Sequence, residues 1–236
     1  MNPPQLRLNK FLAERLGVSR RAADDLIAAG KVKVNGQVAT IGVKVDINDK
    51  VCYNKKIVPF ATDFLYLAMH KPVGYVCSRH AQGSTPTIYQ LLPKTYHGLK
   101  TVGRLDKDSS GLILLTNDGD FAFKMTHPKF RKNKVYEVVL DQPLAPLHQQ
   151  MISDYGVMLD DGPSQFKVIK DALAAPTDRQ HFIVILSEGR NRQIRRTFAA
   201  LGYQVTKLHR TEFGPFKLNQ LPPGQFQTIN QTEIVL

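Results

Sequence analysis

An α+β chain is what this sequence predicts, on three observations. From residue 65 onward short apolar runs alternate with turn clusters, a few amphipathic segments interrupt them, and no regular strand–helix alternation with phosphate-loop glycines occurs. The expected architecture is a small helix–hairpin domain over residues 1–60, then a domain over 61–236 built on a largely antiparallel mixed sheet. With 236 residues, 42% of them hydrophobic and 22% charged, the chain is long enough for one domain or two modest ones.

The elements follow in order. Leu8, Phe11, Leu12 and Leu16 recur at spacings of three and four, one apolar helical stripe that Gly17 ends. Ser19 stands as a cap before a second helix, Arg20 to Ala29, with Gly30 as its stop. Val32 and Val34 alternate with Lys31 and Lys33, Asn35-Gly36 supplies a tight turn, and Val38 begins the return strand. Residues 55–64 read as the linker, polar and broken by Pro59. Beyond it, strands are expected at Leu65–Met69, Leu112–Thr116, Val135–Leu140 and Phe182–Leu186, with amphipathic segments at Leu144–Ile152 and Arg192–Leu201.

Charge narrows the function classes. Lys and Arg total 32 against 20 for Asp and Glu, a net of +12. Residues 1–56 hold half of that excess. A chain this basic is expected to meet polyanions, because neutralised phosphates release counterions. Arg7, Lys10, Arg20, Arg21, Lys31 and Lys33 fall on the polar faces of the first elements, within reach of phosphates. Apolar runs such as Phe182 to Leu186 are far short of the roughly 20 residues that span a bilayer. The start lacks the basic and apolar regions of a secretory signal. Two cysteines, Cys52 and Cys77, make neither a disulfide framework nor a four-ligand zinc site. The expectation is a cytoplasmic protein with no membrane partner.

Two apparent motifs fail on inspection. Asp106 to Gly111 imitates a calcium loop, but its twelfth position is Asn117 rather than Glu. Gly98 and Gly103 have phosphate-loop spacing, but Arg104-Leu105 follows where Lys-Ser/Thr is required. The seven histidines show no metal-ligand spacing. No metal and no cofactor are implied.

Three pieces remain. Val102-Gly103-Arg104-Leu105-Asp106-Lys107-Asp108-Ser109-Ser110-Gly111-Leu112 is a polar turn entering the Leu112–Thr116 strand, where a carboxylate can be held accurately. Lys134-Val135-Tyr136-Glu137-Val138 presents Tyr136 on the face opposite Val135. Ser187 to Arg196 is a strand end feeding a helix dense in guanidinium groups. Alone, each reads equally well as a capped turn, a core tyrosine and a solvated basic helix.

Residues 7–36, from Arg7-Leu8-Asn9-Lys10-Phe11-Leu12 to Val32-Lys33-Val34-Asn35-Gly36, resemble the S4 RNA-binding domain, in which two helices grip structured RNA. The three later pieces, with Lys71-Pro72-Val73-Gly74-Tyr75-Val76 and Leu115-Thr116-Asn117-Asp118-Gly119, resemble the pseudouridine synthase family. In particular they resemble its branch that modifies ribosomal RNA and carries an S4 domain in front. The resemblance runs from about Arg7 to Gln225. It implies breakage of the bond between uracil N1 and ribose C1′, rotation of the base, and rejoining through C5, with no external cofactor.

By that resemblance Asp106 is the catalytic carboxylate, acting on carbon or stabilising charge on the sugar. Arg195 is its basic partner, and Tyr136 stacks on the target base with its hydroxyl near the C5 proton. Ile194 packs beneath the flipped base, and Arg104 fills the gap it leaves or holds a phosphate. Arg192 and Lys134 complete the substrate-binding set. Asp108 is read as a turn residue. Lys124, Lys129, Arg131, Lys132 and Lys134, with no acid among them, form an expected RNA-facing strip.

Two rivals are an S4-type RNA-binding protein with an inactive second domain and a hydrolase pairing Asp106 with Asp108. Intact Asp106, Tyr136 and Arg195 speak against the first. Neighbours on one turn cannot flank a sugar from opposite sides, which speaks against the second. The expected partner is ribosomal RNA or a ribosomal assembly intermediate, met by a monomer. Leu67 to Ser78 and Leu208-His209-Arg210 look like the small-subunit (16S) type, whereas Asn191 to Arg196 reads more like large-subunit (23S) members. The narrower expectation is the small subunit.

Overall fold

The computed structural model describes residues 5–60, 63–79, 83–230, 232 and 234. Helix α1 (Leu8–Arg15) turns Leu8, Phe11 and Leu12 inward. Helix α2 (Arg20–Ala28) starts where the Ser19 hydroxyl accepts from the Ala22 amide at 3.0 Å. Strand β1 (Leu6–Arg7) pairs with β4 (Lys44–Val45). Strands β2 (Val32–Val34), β3 (Gln37–Val38), β5 (Val51–Tyr53) and β6 (Lys56–Ile57) form a second small sheet in the order β3-β2-β5-β6. Asn35 and Gly36, both with positive φ, make the expected turn between β2 and β3. Residues 55–64 therefore do not begin as a linker. Tyr53 and Lys56 pair across a turn, Val58 is buried with Phe11 and Val51, and Phe60 stacks on Phe11 at 4.4 Å. Pro59 punctuates a packed segment rather than a free one. Residues 61 and 62 lie outside the described residues.

The larger sheet has nine strands among the described residues. Its main path runs β13 (Lys167–Lys170), β14 (His181–Leu186), β10 (Lys134–Leu140), β15 (Val205–Phe213), β9 (Ser110–Thr116), β7 (Tyr66–Lys71), β17 (Phe226–Thr228). β8 (Lys100–Val102) pairs with β9, and β16 (Phe216–Lys217) pairs with β15. Among these strands every pairing is antiparallel except β15 with β9, which is parallel through His209–Ser110 and Arg210–Gly111.

The apolar run on β9 reflects burial on both faces. Ile113 and Leu115 pack in one core with Ile194 and Phe198 of α5 (Gln193–Ala200). Leu112 and Leu114 pack in another with Phe121 and Met125 of α3 (Gly119–Thr126). Strands β10 and β14 alternate instead, with Tyr136, Val138, Phe182 and Val184 inward. The segment expected to be amphipathic at Leu144–Ile152 is α4 (Pro146–Gln150), which widens into a π-turn over Met151–Tyr155. A hairpin of β11 (Val157–Leu159) and β12 (Gly162–Ser164) follows it.

The two parts touch. Arg79 donates to the carbonyls of Gly17, Gly98 and Leu99, and Lys10 pairs with Asp120 at 2.6 Å. Lys10 is thus taken up by the larger domain, a correction to its expected place on RNA. Its α1 position faces the start of α3, where a carboxylate already neutralises it. Arg7, Arg20, Arg21, Lys31 and Lys33 are exposed.

Candidate active site

The polar turn at residues 103–109 leaves β8 and enters β9, and it is pinned from beneath. Lys71, wholly buried at the end of β7, donates from Nζ to the Ser109 carbonyl at 2.6 Å and to the Pro72 carbonyl at 3.0 Å. Burial pushes its ammonium down to about 8, although the charges of Asp106 and Asp108 act against that fall. The Gly74 amide donates to the Lys107 carbonyl at 2.7 Å, and the Leu105 amide reaches the Cys77 sulfur at 3.4 Å. The carboxylate of Asp106 therefore stands on a braced loop, about one third exposed.

Above it, α5 and the turn before it present their arginines in two groups. Arg190 and Arg196 turn away. Both reach Asp161 in the β11–β12 turn, Arg190 at 3.0 Å and Arg196 at 2.8 and 3.0 Å, and Arg190 also binds the Gly162 and Pro163 carbonyls. Arg192 and Arg195 turn toward the loop. Arg192 donates to both oxygens of Asp108 at 3.1 and 3.2 Å and lies 3.6 Å from Asp106. Arg195 donates to the Asp108 and Val205 carbonyls at 2.9 and 2.7 Å, with Nε 3.3 Å from the Asp108 carboxylate.

The expected pairing of Arg195 with Asp106 is thus corrected. The side chain meeting Asp106 is Arg192, and Arg195 is tied to Asp108. Arg192 is the left-handed residue that precedes α5, whereas Arg195 lies in its first turn and is held there by the Asp108 and Val205 carbonyls. Asp108 is accordingly more than a turn residue. Burial raises its carboxyl pKa, but the hydrogen bonds of Arg192 and the charges of Arg195 and Arg192 outweigh burial and hold it below the usual range.

A cavity of about 230 Å³ opens beside this network, lined by Arg104, Asp106, Tyr136, Arg192, Ile194 and Lys134 among others. The structure brings all of these together, and Arg195 stands behind the loop. Tyr136 and Ile194 are buried in its wall. Arg104 is exposed at the cavity and makes no hydrogen bond or ion pair with the described residues. Lys134 departs from the surface strip expected of residues 124–134. It turns inward, donates to the Glu188 carbonyl at 3.1 Å and lies 5.2 Å from the Phe213 ring. Burial pushes its ammonium down to about 8, helped by the charge of Arg210.

Sequence reasoning missed two groups. Lys71 was visible only as part of a motif. Arg210, 1% exposed, lines the cavity from β15, directly across from Tyr136 in the sheet register. Its signal was parity: Leu208 and Arg210 share a strand face, so a charge stands where an apolar residue is expected.

The chain is similar to known proteins along nearly its whole length. A family model described as RNA pseudouridylate synthase matches residues 65–200, and one described as S4 domain matches residues 6–58. The chain is 38% identical to a ribosomal small subunit pseudouridine synthase A of Pasteurella multocida, over 97% of this chain and 98% of that one. It is 36% identical to a ribosomal large subunit pseudouridine synthase B of Bacillus subtilis, over 97% and 93%. A crystal structure of a pseudouridylate synthase, 33% identical, superposes with a TM-score of 0.68 over 97% of both chains. With a carboxylate on a braced loop, a buried tyrosine across the cavity and these matches spanning both parts, the chain belongs to the RNA pseudouridylate synthase family.

Proposed function

We propose that this protein isomerises a uridine of ribosomal RNA to pseudouridine. The observation that carries the reading is that Asp106, Tyr136 and Ile194 line one cavity under an arginine-rich helix. In this reading Asp106 supplies the carboxylate that acts on carbon, and Arg192 orients it. Tyr136 stacks on the base and Ile194 packs beneath it. Arg104, free of partners among the described residues, fills the gap left by the flipped uridine or holds its phosphate. Extrusion costs a few kcal/mol, which favours an RNA still open during assembly. Residues 1–60 grip the RNA through Arg7, Arg20, Arg21, Lys31 and Lys33, and residues 61–236 carry the chemistry. The enzyme is read as a cytoplasmic monomer acting on an assembly intermediate.

Small-subunit rRNA is the first reading of the substrate, and the Asn191 to Arg196 stretch favours large-subunit rRNA as the second. Incubation with each rRNA, followed by mapping of pseudouridine and free uracil, tests both. Pseudouridine at one site is the expected result. Free uracil would mean a hydrolase, and no change in either RNA would leave only binding.

A further inference from the structure

The cavity holds a cation, Arg210, that no role given so far requires, next to Lys134 of the expected substrate-binding set. Arg210 is wholly buried, and its Nε donates to the Leu112 carbonyl at 2.7 Å. Its Nη2 has no hydrogen-bond partner among the described residues. Lys134 lies beside it, and the two flank the buried ring of Phe213, at 4.9 Å for the guanidinium and 5.2 Å for the ammonium. Both line the cavity with Asp106 and Tyr136. A buried donor left without a partner costs stability unless something fills it.

The backbone is shaped to put it there. Gly111 has φ +110°, and a Cβ on it would stand 2.2 Å from the Arg210 carbonyl oxygen. Only a glycine lets β15 approach β9 closely enough to deliver Arg210 behind the Asp106 loop. The group is deep in the wall rather than at the rim, which suits a base more than a backbone phosphate.

We propose that Arg210, assisted by Lys134, is a catalytic residue that takes up the negative charge developing on the uracil carbonyls during isomerisation. The inference rests on the synthase reading above. When the N1–C1′ bond breaks, its electron pair leaves with the base and spreads over N1, O2 and O4. C5 then bonds to C1′, the C5 proton departs and N1 takes up a proton, so no oxidant or reductant is needed. A cation fixed in a buried site stabilises such charge without having to reorganise.

The test compares single-turnover rates of N1–C1′ bond cleavage, the step common to both substrates, on RNA carrying uridine or 5-fluorouridine (which has no C5 proton to lose) at the target, with wild type, Arg210→Met and Lys134→Met. Fluorine makes uracil a more stable anion, so its departure leans less on the protein. Arg210→Met should slow uridine about 10²–10³-fold and 5-fluorouridine by a clearly smaller factor. Lys134→Met should show the same bias and gives the readout if the buried Arg210 variant does not fold. Equal slowing of the two substrates in whichever variants fold marks a structural role and overturns the inference while the synthase reading stands. A wild-type protein that makes no pseudouridine on either rRNA overturns that reading and the inference with it.

Discussion

Replacing Gly111 by Ala should unseat the strand that carries Arg210. The added Cβ would lie 2.2, 2.5 and 2.8 Å from the oxygen, nitrogen and carbon of the Arg210 backbone, so no side chain can rotate to relieve it. Two costs combine. Holding a non-glycine residue at φ +110° costs about 1–3 kcal/mol, and overpacking a rigid neighbour costs about 1–3 kcal/mol more. At about 4 kcal/mol, and about 2–4 °C per kcal/mol for a domain of this size, the melting temperature should fall by about 8–16 °C. Gly224→Ala is the control, since Gly224 also has positive φ but no atom within 4 Å of the place its Cβ would occupy. That change should cost only about 1 kcal/mol. Calorimetry on the three proteins measures the difference. If Gly111→Ala melts within about 2 °C of the control, the close approach of β9 and β15 is not what holds this part of the sheet.

Asp106→Asn should abolish pseudouridine formation while RNA affinity stays near wild type, because a carboxylate is a poor phosphate ligand; turnover near wild type would remove Asp106 from the chemistry. Asp108→Asn should lower the rate about tenfold by loosening the loop and reduce stability by about 1–2 kcal/mol, a figure lowered for the 46% exposure of its side chain. The folded carboxyl pKa of Asp108 is depressed, so its contribution is present above the unfolded value and is lost as pH falls through the folded one. The melting gap between wild type and Asp108→Asn should therefore close below about pH 4, and a gap constant down to about pH 2 would contradict the pairing. Arg20→Ala with Arg21→Ala should flatten the salt dependence of RNA binding by roughly 0.7–0.9 log units per lost phosphate contact, whereas an unchanged slope would mean these arginines do not touch RNA.

Local chemistry was legible in the sequence wherever it acts within a few residues. The α1 stripe, the Ser19 cap, the Asn35-Gly36 turn and the alternation on β10 each depend on neighbours a turn or a strand apart, and all stand where their spacing puts them. Asp106 and Tyr136 could be singled out because their motifs are contiguous. Which arginine meets which carboxylate was another matter. Arg192, Arg195 and Arg196 lie within one short stretch, and only the seating of α5 sends the first two to Asp108 and the third to Asp161. By sequence Lys10 and Lys134 read as RNA- and substrate-facing lysines, until the fold supplies Asp120 to one and a buried wall to the other. Residues 55–60 look like a linker because polar letters conceal a strand that pairs with β5. The sequence by itself determined the local elements and the kinds of groups available for chemistry, since helix periodicity, capping and turn preference act along the chain. The tertiary structure alone decided the ion pairs and brought Arg210 beside Tyr136, because those contacts join residues far apart in the chain whose meeting depends on sheet register and helix seating.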